Sequence, residues 1–225
     1  MDSIALSKLD RLFWLGRYIE RTLIEIDIMQ DAYDQSIDGP AFDYVEFCQR
    51  LEIPNAYEGV DDFIKKFLFD RKDPYSVISN LNYAYDNAIV LRESISSAAL
   101  SYIQMAVNIM EAAAKGVAPM LELQSVTDML YAFRSCSDDS ILDMGSRYTL
   151  KCGYSVERID MYVRLGHHLE NLRREFSRLN HRMQCTPLRR DGEKLMLLLG
   201  LAPNPDPENN RKILLECIEG LFVDV

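Results

Sequence analysis

ALSKLDRLFWLGRYIERTLIEI, residues 5–26, is the stretch that decides the fold class. From Ala5, the positions Leu9, Leu12, Gly16, Ile19, Leu23 and Ile26 follow one another in alternating steps of four and three. Residues spaced this way fall on one face of a helix, and such a stripe packs against other helices. The spacing predicts a long helix over about residues 4–35. Asp38-Gly39-Pro40 stops it, because glycine readily ends a helix and proline cannot continue one.

Helical patterning continues along the chain. A short apolar segment covers 41–51, the turn IPNAYEG follows at 53–59, and a short helix is predicted near 60–69. Asp73 is placed to cap a helix with Pro74 in its first position, running to about residue 95. Ser96 or Ser97 caps the next, which ends at Gly116, and a further helix covers 118–134. SCSDDS at 135–140 reads as an interruption, after which a long pattern runs from about 139 to 183. QCTPLRRDG at 184–192 makes a turn, EKLMLLLGL at 193–201 a short helix, and PNPDP at 203–207 a rigid connector before a last helix. No run of alternating β-branched residues suggests a sheet. The expected fold is all-α, a single bundle over residues 1–225 whose short loops favour mainly antiparallel neighbours. The final helix, about 208–220, is expected to be a mobile appendage beyond the proline-rich connector.

Composition narrows the function classes. The chain has 225 residues, 48% hydrophobic and 27% charged, which is ordinary for a folded domain. A formal net charge of −10 argues against a nucleic-acid partner. RREFSRLNHRM at 173–183, extended by Arg189 and Arg190, is a local basic exception and reads as a solvated face. The first residues resemble neither a signal peptide nor a transit peptide, and no stretch has the apolar length of a membrane span. Five scattered cysteines without C-x-x-C point away from zinc and disulfide frameworks and toward a reducing cytoplasm. A di-iron bundle needs Glu-x-x-His, and the residues three before His167, His168 and His181 are Arg164, Leu165 and Arg178. The adjacent histidines read as helix surface, and Cys152 as a packing residue. With no nucleophile elbow, phosphate loop or dinucleotide fingerprint, neither a cofactor nor a metal is expected.

One pattern occurs twice. GRYIER at 16–21 and GYSVER at 153–158 share G-x-x-x-E-R. Glycine costs about 1 kcal/mol inside a helix, so two such placements predict that Gly16 and Gly153 let another backbone draw near. Neighbouring Glu and Arg side chains would then be desolvated and obliged to pair. Three outcomes are open. The repeats form a pseudo-symmetric pair of structural ion bridges between two touching helices. Alternatively they line a polar pocket, with Glu20, Asp27, Glu157 and Asp160 as carboxylates and Arg17, Arg21, Arg158 and Arg164 as anion donors. In the third, they make surface bridges such as Arg21–Glu25.

LSKLDRLFWLGRYIERTLIEIDIM at 6–29 resembles the opening of the bacterial alpha-E domain family, which begins with a similar W-x-x-R-Y-x-E-R stretch. FLFDRKDPYSVISNLNYAYDNAIVLRESIS at 67–96 resembles that family's second block, and LKCGYSVERIDMYVRLG at 150–166 its third, again G-x-x-x-E-R-x-D. The resemblance implies an all-helical domain found beside, or fused to, circularly permuted ATP-grasp ligase-like and transglutaminase-like proteins. That context points to peptide or amide-bond metabolism.

Three functional readings follow. The first is a non-catalytic helical partner of an ATP-grasp-type peptide or amide ligase system, with a ligase-like or transglutaminase-like protein as its partner. The second is an enzyme or binding protein that uses the paired motifs to hold a carboxylate- or phosphate-bearing substrate. The third is a plain structural scaffold. The lack of a recognisable nucleophile, metal set or nucleotide loop favours the non-catalytic readings. Self-association is left open.

Overall fold

The computed structural model describes residues 3–38, 42–116 and 119–225, with no side chain given for 3–5 or 35–38. Eleven α-helices account for most of them: α1 Ser3–Asp38, α2 Tyr44–Leu51, α3 Val60–Phe69, α4 Val77–Val90, α5 Arg92–Ile95, α6 Ser97–Ala113, α7 Pro119–Ser140, α8 Met144–Leu165, α9 Leu172–Met183, α10 Gly192–Leu201 and α11 Pro207–Glu219. A single 3-10 turn, Leu169–Asn171, precedes α9. Among the described residues there is no strand, only one isolated antiparallel bridge between Arg190 and Phe222. The fold is all-α. No helix is long and apolar enough to cross a membrane among the described residues.

The predicted first helix is present, running from Ser3 to Asp38. Its stop signal, Gly39-Pro40, lies outside the described residues. The helix expected to reach residue 95 is divided at Leu91 into α4 and α5, and three other boundaries differ from the sequence reading, each for a local reason. Ser76, not Asp73, caps α4, its hydroxyl accepting the Ser79 amide at 3.2 Å. Asp73 holds the preceding turn instead, accepting the Tyr75 amide and the Tyr57 hydroxyl, each at 2.9 Å. SCSDDS does not interrupt α7. Ser137 and Ser140 bond back to the carbonyls of Arg134 and Cys136, which satisfies their polarity within the helix. The predicted 139–183 helix is divided twice. Asp143 caps a fresh start by accepting the Ser146 amide at 2.8 Å. Gly166, at φ 70°, then ends α8 in the left-handed region that glycine enters freely.

The chain gathers into two compact units. One is residues Arg21–Ser140, and the other joins the residues up to Glu20 with Ile141–Val225. In the first, α6 and α7 pack along each other, with α4 against α6 and α3 against α4. Its core holds Phe63, Phe67, Leu81, Ile103, Leu130 and Phe133, all fully buried. Ser96 caps α6 there, accepting the Ala99 amide as expected.

In the second unit, α8 is the central helix and packs against α9 and α11. Buried residues occupy every side of α8 from Cys152 to Ile159, as befits a helix surrounded by others. The start of α1 supplies Leu12, Leu15 and Ile19 to the same core. The last helix, α11, buries Leu214, Cys217 and Ile218 and contacts both α8 and α10.

Candidate functional site

The two G-x-x-x-E-R segments meet where α1 crosses α8. A methyl group built on Gly16 would overlap the Leu150 carbonyl oxygen and stand 3.1 Å from the Gly153 Cα. One built on Gly153 would overlap the Phe13 carbonyl oxygen and stand 3.1 Å from the Gly16 Cα. Each glycine therefore faces the carbonyl that lies three residues before the other glycine. This reciprocity gives the crossing a local pseudo-twofold character, and only residues without a Cβ permit it. Such close approach also favours weak Cα–H···O contacts between the helices.

Beyond the glycines, the pairs advance along both helices in the same direction, an exception to the mainly antiparallel arrangement expected. The Arg17 guanidinium donates to Glu157 at 2.5 Å, and Arg158 donates to Glu20 at 2.6 Å. The carboxylates are 1% and 2% exposed, the arginine side chains 11% and 14%. Arg17 also lies over the Trp14 ring, 4.9 Å from its centroid, which fixes the guanidinium from its other side. Glu20 takes the arginine of the opposite Glu-Arg dipeptide, and Glu157 takes Arg17, the residue next to Gly16.

One turn farther along α8, Asp160 accepts from Nη2 and Nε of Arg164, at 3.1 and 3.2 Å, and Arg164 also donates to Glu219 on α11. Burial, followed by the charge of Glu157, pushes the Asp160 carboxyl above its ordinary value. Arg158 shows the opposite balance. Burial works against its charge, yet Glu20 and Glu175 hold its proton more firmly than in a free arginine.

Glu175 on α9 completes the cluster and was not foreseen. It is fully buried and accepts from Arg178 at 2.7 Å and from Arg158 at 3.3 Å, with Arg174 at 3.5 Å. A signal for it existed. Leu172, Phe176, Leu179 and Met183 mark the buried face of α9, and Glu175 is the one acid in that stripe. The basic reading of this helix is thus half right. Arg174 and Arg178 are 60% and 44% exposed, but they lean on a buried carboxylate rather than standing free.

Eight of the predicted residues are thereby placed on this crossing and its α8 extension: Gly16, Arg17, Glu20, Gly153, Glu157, Arg158, Asp160 and Arg164. Arg21 and Asp27 belong to the Arg21–Ser140 unit, and Asp27 is exposed, about two turns past Glu20 on α1. The surface bridge read for Glu25 is corrected. That carboxylate is 2% exposed and accepts the Asn80 side-chain amide at 3.0 Å. His167 and His168 do not ride on a helix surface. They follow the Gly166 cap, half-buried, with their rings 3.8 Å apart and both near Tyr162. Cys152 is wholly buried, and its thiol is pushed up to about 12 by that burial, so it is inert as a nucleophile.

Chemically, the arrangement binds its charges to one another. Glu20, Glu157, Asp160 and Glu175 each engage a guanidinium and are at most 2% exposed, so solvent molecules reach none of them while the helices stay together. This is the geometry of a staple.

No curated protein and no solved structure matches the chain. Residues 7–200 match the Alpha-E family, described as a predicted alpha-helical domain with a conserved ER motif. The matched span includes both of the chain's Glu-Arg dipeptides, at 20–21 and 157–158. With most of its length matched, and with Glu20, Glu157 and Arg158 of those dipeptides paired where α1 crosses α8, this chain belongs to the Alpha-E family.

Proposed function

We propose that the chain is a non-catalytic helical partner of an ATP-grasp-type peptide or amide ligase, acting on that enzyme's assembly or substrate access. The observation that carries this reading is the internal pairing of the Glu-Arg motifs. Glu157 with Arg17 and Glu20 with Arg158 are the groups best suited to acid–base work or anion binding, and each is engaged inside the protein. A catalytic site needs reactive groups within reach of a substrate. Here they are sealed, which suits a helical protein whose exterior does the work. The association with ligase-like proteins comes from the family resemblance of the 6–29, 67–96 and 150–166 blocks.

The test is reconstitution. The chain is co-expressed with an ATP-grasp-type protein encoded beside it, and capture of one is scored for recovery of the other. Ligase ATP turnover is then measured with and without a stoichiometric amount of the chain. The proposal expects co-recovery and a change in ligase turnover, with no peptide-bond chemistry by the chain alone. Turnover by the isolated chain, or failure of the two to associate, refutes it.

A further inference from the structure

Helix α3 carries two Asp–Lys pairs with the same spacing, Asp61 with Lys65 and Asp62 with Lys66. One of them closes, Lys66 donating to Asp62 at 2.8 Å. Asp61 and Lys65 are both exposed and make no hydrogen bond or ion pair among the described residues. The same residue types at the same separation therefore behave oppositely on adjoining faces of one helix.

The open pair faces a cleft of about 630 Å³. Asp61, Ile64, Lys65 and Leu68 form one wall, a continuous face of α3, and Met120 and Leu121 at the start of α7 stand among the residues lining the rest. Leu68 and Met120, 0% and 9% exposed, give an apolar floor, while Leu121 stands 78% exposed at the side. The volume falls within the range of about 300–1,000 Å³ usual for small-molecule sites. A monoanion would meet Lys65 but also the Asp61 charge at the same mouth. A zwitterion answers both. Side chains at this helical spacing start about 6 Å apart, and an extended chain of two residues spans about 7 Å.

We propose that this cleft binds a zwitterionic apolar peptide of dipeptide length. Its ammonium pairs with Asp61, its carboxylate with Lys65, and its side chains rest on Ile64, Leu68 and Met120. Exposed ion pairs contribute little to folding, so an open pair costs the fold little. The site lies within the Arg21–Ser140 unit and does not rest on the ligase partnership.

Calorimetric titration of the full chain with Leu-Leu and with N-acetyl-Leu-Leu-amide tests it without altering the protein. Leu-Leu is expected to bind, and the blocked peptide to bind roughly tenfold more weakly or not at all, as loss of charge-assisted hydrogen bonds implies. Lys65→Met and Asp61→Asn should each weaken Leu-Leu by roughly tenfold, while Lys66→Met, in the closed pair, leaves it unchanged. Equal binding of both peptides would show a groove that reads apolar surface alone. That result, an equal loss in Lys66→Met, or no binding of Leu-Leu at millimolar concentration overturns the proposal.

Discussion

The unit formed by the residues up to Glu20 with Ile141–Val225 and the unit Arg21–Ser140 bury different material. In the former, four carboxylates lie at 0–2% exposure among arginines. In the latter, Phe63 is wholly buried and has the rings of Tyr57, Phe67, Tyr44 and Phe47 around it at 5.0, 5.1, 5.5 and 5.6 Å. Glu25, held by Asn80, is a smaller polar inclusion there. Apolar contact is non-directional and tolerates changes of shape. Buried charge is unforgiving, since losing one partner strands the other in a medium that cannot solvate it. A near-isosteric substitution should therefore be costly in the first unit and mild in the second.

The largest effect is expected at Glu157→Gln, which keeps shape but removes the charge opposite Arg17. Stability should fall by about 3–5 kcal/mol, read from the urea midpoint. A loss under about 1 kcal/mol, the range of exposed pairs, would show that the crossing is not held by charge. Gly16→Ala comes next, because its methyl group meets the Leu150 carbonyl and must push α1 from α8. Overpacking of this kind costs about 1–3 kcal/mol. The same substitution at Gly200, a helical position in α10 with open space around it, should instead stabilise by about 0.4–1 kcal/mol. Opposite signs at these two glycines would tie the cost to the crossing rather than to glycine itself. In the aromatic unit, Phe63→Leu should cost about 1.5 kcal/mol or less, and a loss matching Glu157→Gln would erase the contrast between the units.

The subtlest test is pH. The Asp160 carboxyl is raised above its ordinary value of 3.8, so the folded state favours its proton. Its contribution is fully present below that value and is lost as pH rises through the higher folded-state value. Asp143 behaves in the reverse sense. Ser146 lowers its carboxyl, so the stability it adds is present above 3.8 and is lost as pH falls. Relative to Asp160→Asn, the wild type should be at its best in acid and lose ground on the way to neutrality. Relative to Asp143→Ala, it should gain along the same path. Thermal melts across pH 3–8 check both, and parallel profiles for the two variants would contradict the assignment.

The helices were legible because their apolar period is strong over long spans, above all in α1. The boundaries were less so, since Ser76, Ser137 and Ser140 act through bonds to nearby backbone that composition does not reveal. The Gly16–Gly153 meeting was readable from the cost of glycine in a helix. The actual partners were not. The spacing of the first motif did not say that Arg17 would reach Glu157. Glu175 was hidden by the arginines around it, whose net charge disguised an acid placed on an apolar stripe. Glu25 looked like half of a surface pair because an i,i+4 spacing does not say which face a helix buries.

Because the crossing joins residues 140 and 138 positions apart in sequence, it also sets an order of events during synthesis. Translation at about 5–20 residues per second leaves Arg17 and Glu20 waiting roughly 7–28 s for Glu157 and Arg158 to be made. All of Arg21–Ser140, a compact unit of its own, is polymerised in that interval. Until α8 emerges the opening turns of α1 lack the helix they pack against, and a nascent fragment ending before Glu157 leaves Arg17 and Glu20 without Glu157 and Arg158. Synthesis completes the middle unit before it supplies the partners of the first helix.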